Sequence, residues 1–259
     1  MNRRSLLPAA AGLWAASASA LSAAPRTAAP RTAAPLRQVQ AADGLPISVS
    51  DWGRGPVVVF VHAWALSSRM WDQQVAALVP AGFRCVTFDR RGHGRTPDPG
   101  QGYDLDTLAG DLEAVLEQRD LRDVTLVGHS MGAAEALRFM GRPSARRVSR
   151  LFLLAPATPC LMQGPDNPQG VPAAAFEQVR AAWRRDFPKW AADNAPAFYT
   201  PTTSRETVAH GIAMMLETPL QVAIACNLTL TQADLRSDCA RIRAPTLVVV
   251  PAQDRIVPP

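Results

Sequence analysis

The sequence predicts an α/β protein whose core is a doubly wound, mostly parallel sheet with a helical cap inserted into it. Short β-branched runs alternate with segments of helical periodicity, which is typical of strands joined by crossover helices. Residues 157–240 interrupt this alternation with helical patterns and no clear strand, and they therefore predict the cap. A length of 259 residues and a hydrophobic content of 47% are enough to bury one large core.

Residues 1–24 have the pattern of a secretory signal peptide. Arg3 and Arg4 precede an uncharged apolar stretch, and an Ala-Ser-Ala sequence at 18–20 provides a cleavage motif. The paired arginines also resemble a twin-arginine signal. A membrane anchor is the alternative, but the apolar stretch is shorter than the roughly 20 residues that a span needs. We therefore expect an exported protein, periplasmic or secreted, without a stable membrane span after processing.

A proline-rich linker is predicted after the signal, at residues 25–36. The segment AAPRTAAPRTAAP repeats a five-residue unit that has proline in each copy and little apolar surface, so it should be extended. The folded part is expected to follow. It should contain a first core part at 37–156, the cap at 157–240 and a second core part at 241–259.

The strands of the predicted sheet recur along the chain. Residues 45–52 indicate an edge strand, and the continuous run at 56–63 is typical of a strand buried on both faces. The other predicted strands are 83–89, 124–130, 148–156 and 245–250. Helices are predicted between them at 70–82, 105–120 and 131–141.

Charge and cysteine content disfavour two classes of function. The formal net charge is +5, but only one of the 27 basic residues is a lysine and the arginines are scattered, so no nucleic-acid partner is expected. The cysteines, Cys85, Cys160, Cys226 and Cys239, form no C-x-x-C pair, so no metal site is expected. Cys226 and Cys239 are the nearest pair and can form a disulfide in an exported protein; isolated thiols are the simpler alternative.

A G-x-S-x-G motif, Gly128-His129-Ser130-Met131-Gly132, lies between a predicted strand and a predicted helix. In a nucleophile elbow the serine occupies a strained turn, and the flanking glycines avoid collisions between a Cβ and neighbouring backbone. The helix that follows directs backbone N–H groups toward an anion formed there. The motif therefore predicts Ser130 as a nucleophile, and a plain turn with a surface serine is the alternative.

Four segments resemble the α/β-hydrolase superfamily in their order and spacing: VVVFVHAWALSSRMWDQQVAAL, FRCVTFDRRGHGRT, VTLVGHSMGAAEALRF and APTLVVVPAQDRIVPP. They are most similar to the cofactor-free serine esterases historically called bacterial non-haem haloperoxidases. The resemblance runs from about residue 40 to residue 259 and is loose through the cap. It implies the α/β-hydrolase fold, a small-molecule carboxylic ester as substrate, an acyl-enzyme intermediate and no cofactor.

The resemblance assigns roles to individual positions. Ser130 matches the nucleophile, Asp254 in D-x-x-V-P matches the acid that orients the catalytic histidine, and His62 matches the histidine that supports the oxyanion loop. The two backbone N–H donors of the oxyanion hole match Trp64 and Met131.

The oxyanion loop departs from the family at two positions. His62 is followed by Ala63, where the family usually has glycine, so the loop has an additional Cβ. Ala65 stands where perhydrolytic members often have proline, so peracid chemistry is not expected.

None of the four histidines follows Asp254, although the chain order of the fold is serine, acid, histidine. His62, His93 and His129 have structural explanations in the motifs around them, and only His210 in the cap is a conceivable substitute. We therefore expect that the last strand, the last helix and the catalytic histidine are lacking here. The alternative is a catalytically inactive α/β-hydrolase-like protein that binds a small ligand.

Large apolar side chains of the predicted cap have two possible roles. They either line an acyl pocket or pack the cap on the core, and at helical spacing packing is the more common role. These residues are Trp183, Phe187, Trp190, Phe198, Met214 and Met215.

Overall fold

The computed structural model describes residues 37–254. The predicted signal at 1–24 and linker at 25–36 lie outside this range, as do residues 255–259. The strands are β1 Gln38–Gln40, β2 Pro46–Trp52, β3 Val57–Val61, β4 Arg84–Phe88, β5 Val124–His129, β6 Val148–Leu154 and β7 Thr246–Val249. They form one seven-stranded sheet in the order β1-β2-β4-β3-β5-β6-β7.

The sheet is parallel over its five strands β4, β3, β5, β6 and β7, which confirms the predicted mostly parallel architecture. Strand β3 lies between β4 and β5, so the strand order reverses its direction at β3. Val61 at the end of β3 is paired with Gly128 near the end of β5. Ligands of open α/β sheets bind at the carboxyl ends of the strands where the order reverses, so this pairing marks the expected site.

The prediction that residues 45–52 form an edge strand is wrong. Strand β2 pairs antiparallel with β4 on one side and with β1 on the other, where Val39 lies opposite Ile47. Strand β1 has only three residues, of which Val39 alone is buried. A segment this short has no periodicity that the sequence can reveal, and its pairing depends on the tertiary fold.

The helices are α1 Asp72–Leu78, α2 Leu105–Gln118, α3 Met131–Met140, α4 Ala173–Phe198, α5 Arg205–Glu217, α6 Leu220–Gln232 and α7 Arg236–Cys239. Helix α1 is shorter than predicted because a 3-10 turn at Ser68–Trp71 precedes it. Helix α2 begins after Asp104, whose carboxylate accepts a hydrogen bond of 2.9 Å from the Thr107 N–H. The main core lies between the sheet and helices α2 and α3, where Leu112 and Phe139 are fully buried.

Helices α4 to α7 lie between β6 and β7 in the chain. Helix α4 is interrupted at Asp186, which has a φ of −164° and lies two residues before Pro188. Proline lacks an N–H and its ring collides with the carbonyl one turn earlier, so the helix breaks there. The Asp186 carboxylate accepts a hydrogen bond of 2.9 Å from the Lys189 N–H and thereby caps the second half.

Between residues 37 and 254, no single helix is long and apolar enough to cross a membrane. Helices α5 and α6 reach that length and composition only as a pair, with a bend of 92° between them.

Candidate active site

Ser130 connects β5 to α3 in a strained backbone conformation. Its φ is 53° and its ψ is −114°, a region that residues with a side chain rarely occupy. The Ser130 N–H donates a hydrogen bond of 3.0 Å to the carbonyl of Leu154 at the end of β6, and its own carbonyl accepts one of 3.0 Å from the Ala133 N–H. The strained turn is therefore held from both sides, as a nucleophile elbow requires.

The two glycines of the motif are required by close backbone contacts. A Cβ on Gly128 would lie 2.6 Å from the carbonyl oxygen of Gly132. A Cβ on Gly132 would lie 2.4 Å from the carbonyl oxygen of Val61 in β3. Both distances are far below van der Waals contact, so neither position accommodates a larger residue while helix α3 stays this close to the sheet.

The N–H groups of Trp64 and Met131 follow the carboxyl ends of two neighbouring parallel strands. Trp64 lies three residues after β3, and Met131 is the first residue of α3, directly after the elbow. Within residues 37–254, neither N–H donates a hydrogen bond to another protein group. Two free N–H groups at one sheet edge, one of them at a helix N-terminus, can bind an anion.

The predicted oxyanion loop, which follows β3 and contains Ala63, Trp64 and Ala65, accommodates its two departures from the family. Ala63 is buried and does not have a positive φ, so its Cβ causes no backbone strain. Ala65 has a φ of 50°. A proline ring fixes φ near −65°, so proline is incompatible with the conformation that the loop has at this position.

His62 has both ring nitrogens occupied inside the protein. Its Nε2 accepts a hydrogen bond of 3.0 Å from the Arg90 N–H, and its Nδ1 lies 2.8 Å from the Ala63 carbonyl oxygen. Burial, and then the nearby Arg90 cation, hold the pKa of His62 well below its usual range. A neutral ring with its proton on Nδ1 satisfies both contacts, so His62 supports the loop and is not available as a base.

Of the other three histidines, His93 and His129 lie in structural positions and His210 lies on the surface. Burial lowers the pKa of His93 to about 3 and that of His129 to about 4. The His93 Nδ1 lies 2.9 Å from the Arg91 carbonyl oxygen, and the His129 ring packs edge-on against Trp71. His210 is exposed on α5.

Asp254 lies at the same edge of the sheet as the elbow. Strand β7 is paired with β6, with Val249 opposite Leu154, whose carbonyl accepts the Ser130 N–H. Asp254 follows in a turn closed by a 3.1 Å hydrogen bond from its N–H to the Pro251 carbonyl. Its charge reaches His129, where it opposes the effect of burial on the pKa. The assignment of Asp254 as the acid stays a prediction.

An aromatic cluster joins the oxyanion loop to the cap. The Trp64 indole stacks on Trp183 with 4.5 Å between ring centroids, and its Nε1 donates a 2.7 Å hydrogen bond to the Ala223 carbonyl in α6. Of the six apolar cap residues considered above, four are buried, Trp190 is half-buried and Phe198 is 39% exposed. Packing therefore accounts for the four buried side chains.

Sequence reasoning missed Arg90 and Glu135, which form a buried ion pair behind the loop. Their signals are the second residue of the turn DRRG and an acidic residue in the otherwise apolar first half of α3. All four cysteines are free thiols, so Cys226 and Cys239 form no disulfide. In the described part of the chain, no group of three or more His, Cys, Asp or Glu residues could hold a metal ion.

Comparison with known proteins gives the family. Residues 56–215 match the alpha/beta hydrolase fold family. The chain is 35% identical over 221 residues to the non-heme chloroperoxidase CPO-A1 of Kitasatospora aureofaciens, covering 83% of this chain and 80% of the relative. An esterase from Exiguobacterium antarcticum superposes with a TM-score of 0.82 at 28% identity, over 85% of this chain and 82% of that one. A bromoperoxidase from Bacillus anthracis does so with a TM-score of 0.80 at 30% identity, over 85% and 83%. The predicted resemblance is confirmed, and the chain belongs to the α/β-hydrolase superfamily as an enzyme of the esterase and non-heme haloperoxidase type.

Proposed function

We propose that this enzyme hydrolyses carboxylic esters through an acyl-enzyme formed on Ser130. The observation that carries the proposal is the strained turn at Ser130, whose φ is 53°. The turn leads into helix α3, whose first N–H, on Met131, is free among the described residues, like the N–H of Trp64. A strained conformation persists only where surrounding structure holds it, and such sites concentrate where chemistry occurs. The similarity to an esterase from Exiguobacterium antarcticum supports ester hydrolysis as the reaction class.

In the proposed reaction, Ser130 Oγ attacks the ester carbonyl carbon and its proton passes to a base. The negative charge that develops on the carbonyl oxygen is bound by the N–H groups of Trp64 and Met131. The bond to the alkoxy oxygen then breaks, and the alcohol leaves with that proton. Water attacks the acyl-enzyme in the second half and releases the carboxylic acid, which restores Ser130.

The base in this family is a histidine that follows the acid in chain order, and Asp254 would orient it. We do not assign this role to His62 or His93, whose rings are buried in other contacts, or to His129, whose half-buried ring packs against Trp71. The absence of a histidine bonded to Ser130 Oγ among the described residues favours a second candidate. This is a non-catalytic protein that binds a small ligand under the cap.

Labelling with a fluorophosphonate separates the two candidates. The probe is applied to the protein purified from its natural host, with its intact mass recorded, and turnover is measured on p-nitrophenyl esters of increasing acyl length. The esterase predicts one label on Ser130 and turnover that is lost in Ser130→Ala. The control is Ser149→Ala, because Ser149 lies at the amino end of β6, the opposite edge of the sheet. Ligand binding without a label or turnover would favour the binding protein.

We also propose that the protein is exported, from the pattern of residues 1–24, which lie outside the described residues. The expected result is a mature N-terminus near residue 21 in the periplasmic or extracellular fraction. An unprocessed chain that starts at Met1 and stays in the cytoplasm would contradict this proposal.

A further inference from the structure

The two candidate oxyanion donors belong to different elements, so their spacing must be set by the structure around them. Trp64 lies in the loop after β3, whereas Met131 begins the helix that also carries the nucleophile. An oxyanion is stabilised only when both N–H groups are directed at one point before the reaction begins. The side chain of Arg90, in the turn after β4, contacts the loop and the helix at once.

Arg90 first holds the peptide plane that contains one donor. Its Nη1 donates to the Ala63 carbonyl at 3.3 Å, and its Nη2 donates to the His62 carbonyl at 2.7 Å. The same Ala63 oxygen lies 2.8 Å from His62 Nδ1. This carbonyl and the Trp64 N–H belong to one planar trans peptide, so they point in opposite directions. Holding the Ala63 oxygen therefore determines the direction of the Trp64 N–H.

Arg90 then connects this peptide to helix α3. Its Nε donates to Glu135 Oε1, and the two side chains are each only 1% exposed. Glu135 lies five residues after Ser130 in the helix that begins with Met131. One guanidinium group thus links the peptide of the first donor to the helix of the second.

Stability alone does not explain this ion pair. Burial raises the pKa of Glu135, although the Arg90 cation opposes this shift. Its Oε2 is buried and accepts no hydrogen bond within the described residues. Removing two charges from water is costly, and a buried pair with an unsatisfied oxygen is often no more stable than apolar residues of the same size.

We propose that Arg90 and Glu135 are positioning residues, which hold the Ala63–Trp64 peptide and helix α3 so that the N–H groups of Trp64 and Met131 face the same oxyanion. This inference rests on the proposed ester hydrolysis at Ser130. It makes Glu135 and Arg90 determinants of transition-state binding without contact with the substrate.

The test compares Glu135→Gln with Asp111→Asn. Asp111 is the matched control because it is also a buried carboxylate paired with an arginine of the same turn, Arg91. Among residues 37–254, its hydrogen bonds go to Arg91 and none goes to the oxyanion loop. For Glu135→Gln, we expect kcat on a p-nitrophenyl ester to fall by about 10- to 100-fold, with KM changed by less than about threefold. Affinity for a trifluoromethyl ketone, which forms a tetrahedral oxyanion on Ser130, should fall by the same factor as kcat.

Hydrogen exchange of the Leu66 amide, which donates a 3.4 Å hydrogen bond to the Ala63 carbonyl, gives a readout that does not depend on turnover. It should become faster in Glu135→Gln and remain as in the unmodified protein in Asp111→Asn. Should Glu135→Gln not fold, Arg90→Lys serves instead, because it keeps the charge and loses the fork of donors on the loop.

Each outcome has a defined meaning. Unchanged kcat, ketone affinity and Leu66 exchange in both variants would overturn the positioning role while ester hydrolysis stands. Equal losses in Asp111→Asn would also overturn it, because a general loss of stability would then explain the effect. If the unmodified protein neither labels nor turns over, the proposed function fails and the oxyanion role fails with it. Faster Leu66 exchange in Glu135→Gln would then show only that the ion pair holds the loop.

Discussion

Gly132 lies so close to Val61 that a Cβ on the glycine would be 2.4 Å from the Val61 carbonyl oxygen. This contact holds the first turn of α3 against the end of β3. We expect Gly132→Ala to move the helix outward, and the free energy of unfolding should fall by about 1–3 kcal/mol, in the range of an overpacked core. The measurement is urea unfolding together with fluorophosphonate labelling of Ser130, which should slow.

Gly110→Ala is the control for this prediction. Gly110 is also a helical glycine, in α2, but a Cβ there would lie 3.7 Å from its nearest neighbour, the Arg142 side chain. It should therefore leave labelling unchanged and stabilise the helix by about 0.5–1 kcal/mol. Equal effects of the two alanines would show that close approach to Val61 is not what requires glycine.

Trp64→Phe should loosen the cap without unfolding the core. The change removes the 2.7 Å hydrogen bond from Nε1 to the Ala223 carbonyl but keeps an aromatic ring against Trp183. We expect a loss of about 1 kcal/mol of unfolding free energy and faster hydrogen exchange in α6. Trp52→Phe, at a side chain that is 57% exposed, is the control. Unchanged exchange in α6 would mean that this bond does not anchor the cap.

Arg91→Met should be one of the most destabilising substitutions in the core. Arg91 is buried and donates to both oxygens of Asp111 at 2.7 Å, and its Nη1 lies 2.9 Å from Asp43. Without the cation, Asp111 would be a buried and unpaired carboxylate, which costs about 3–5 kcal/mol. Asp43→Asn should cost less than about 1 kcal/mol, because the Asp43 side chain is 47% exposed. Urea denaturation at pH 7 measures the loss of unfolding free energy in each variant. Similar losses in Arg91→Met and Asp43→Asn would show that burial of the carboxylate does not set the cost.

The folded protein should lose stability in mild acid because desolvation lowers the pKa of His129 and His93. His129 has a pKa of about 4 when folded and a usual value of 6.5. Below pH 6.5 the unfolded chain therefore binds a proton that the folded one does not, so stability is present above pH 6.5 and falls between pH 6.5 and 4. The shift corresponds to about 3 kcal/mol. His93, with a folded pKa of about 3, adds a loss of the same sign.

Urea unfolding at pH 7, 6 and 5 measures this acid dependence. The slope of the unfolding free energy against pH gives the number of protons that the chain takes up on unfolding. In His129→Phe, this number should be smaller by about one. His210→Gln, on the exposed surface of α5, is the control. If the unfolding free energy of His129→Phe depends on pH as steeply as that of the unmodified protein, His129 is not the titrating group.

Much of the fold could be predicted because its signals are local. The alternation of buried runs and helices predicts the mostly parallel sheet, and the structure confirms it. At the site, the need for glycine at positions 128 and 132 could be predicted, because the G-x-S-x-G motif of the tight turn lies within five consecutive residues. The roles of Ser130, Asp254, Trp64 and Met131 stay predictions until labelling tests them.

The sequence by itself determined most elements of the core, the elbow motif and the family, because periodicity, turn chemistry and motif spacing act over a few residues. Only the tertiary structure decided that β1 is the edge strand, that Trp64 bonds to Ala223, 159 residues away, and that Arg90 joins Ala63 to Glu135. Such contacts join segments far apart in the chain. They depend on strand order and on how helices pack over the sheet, which no local pattern encodes.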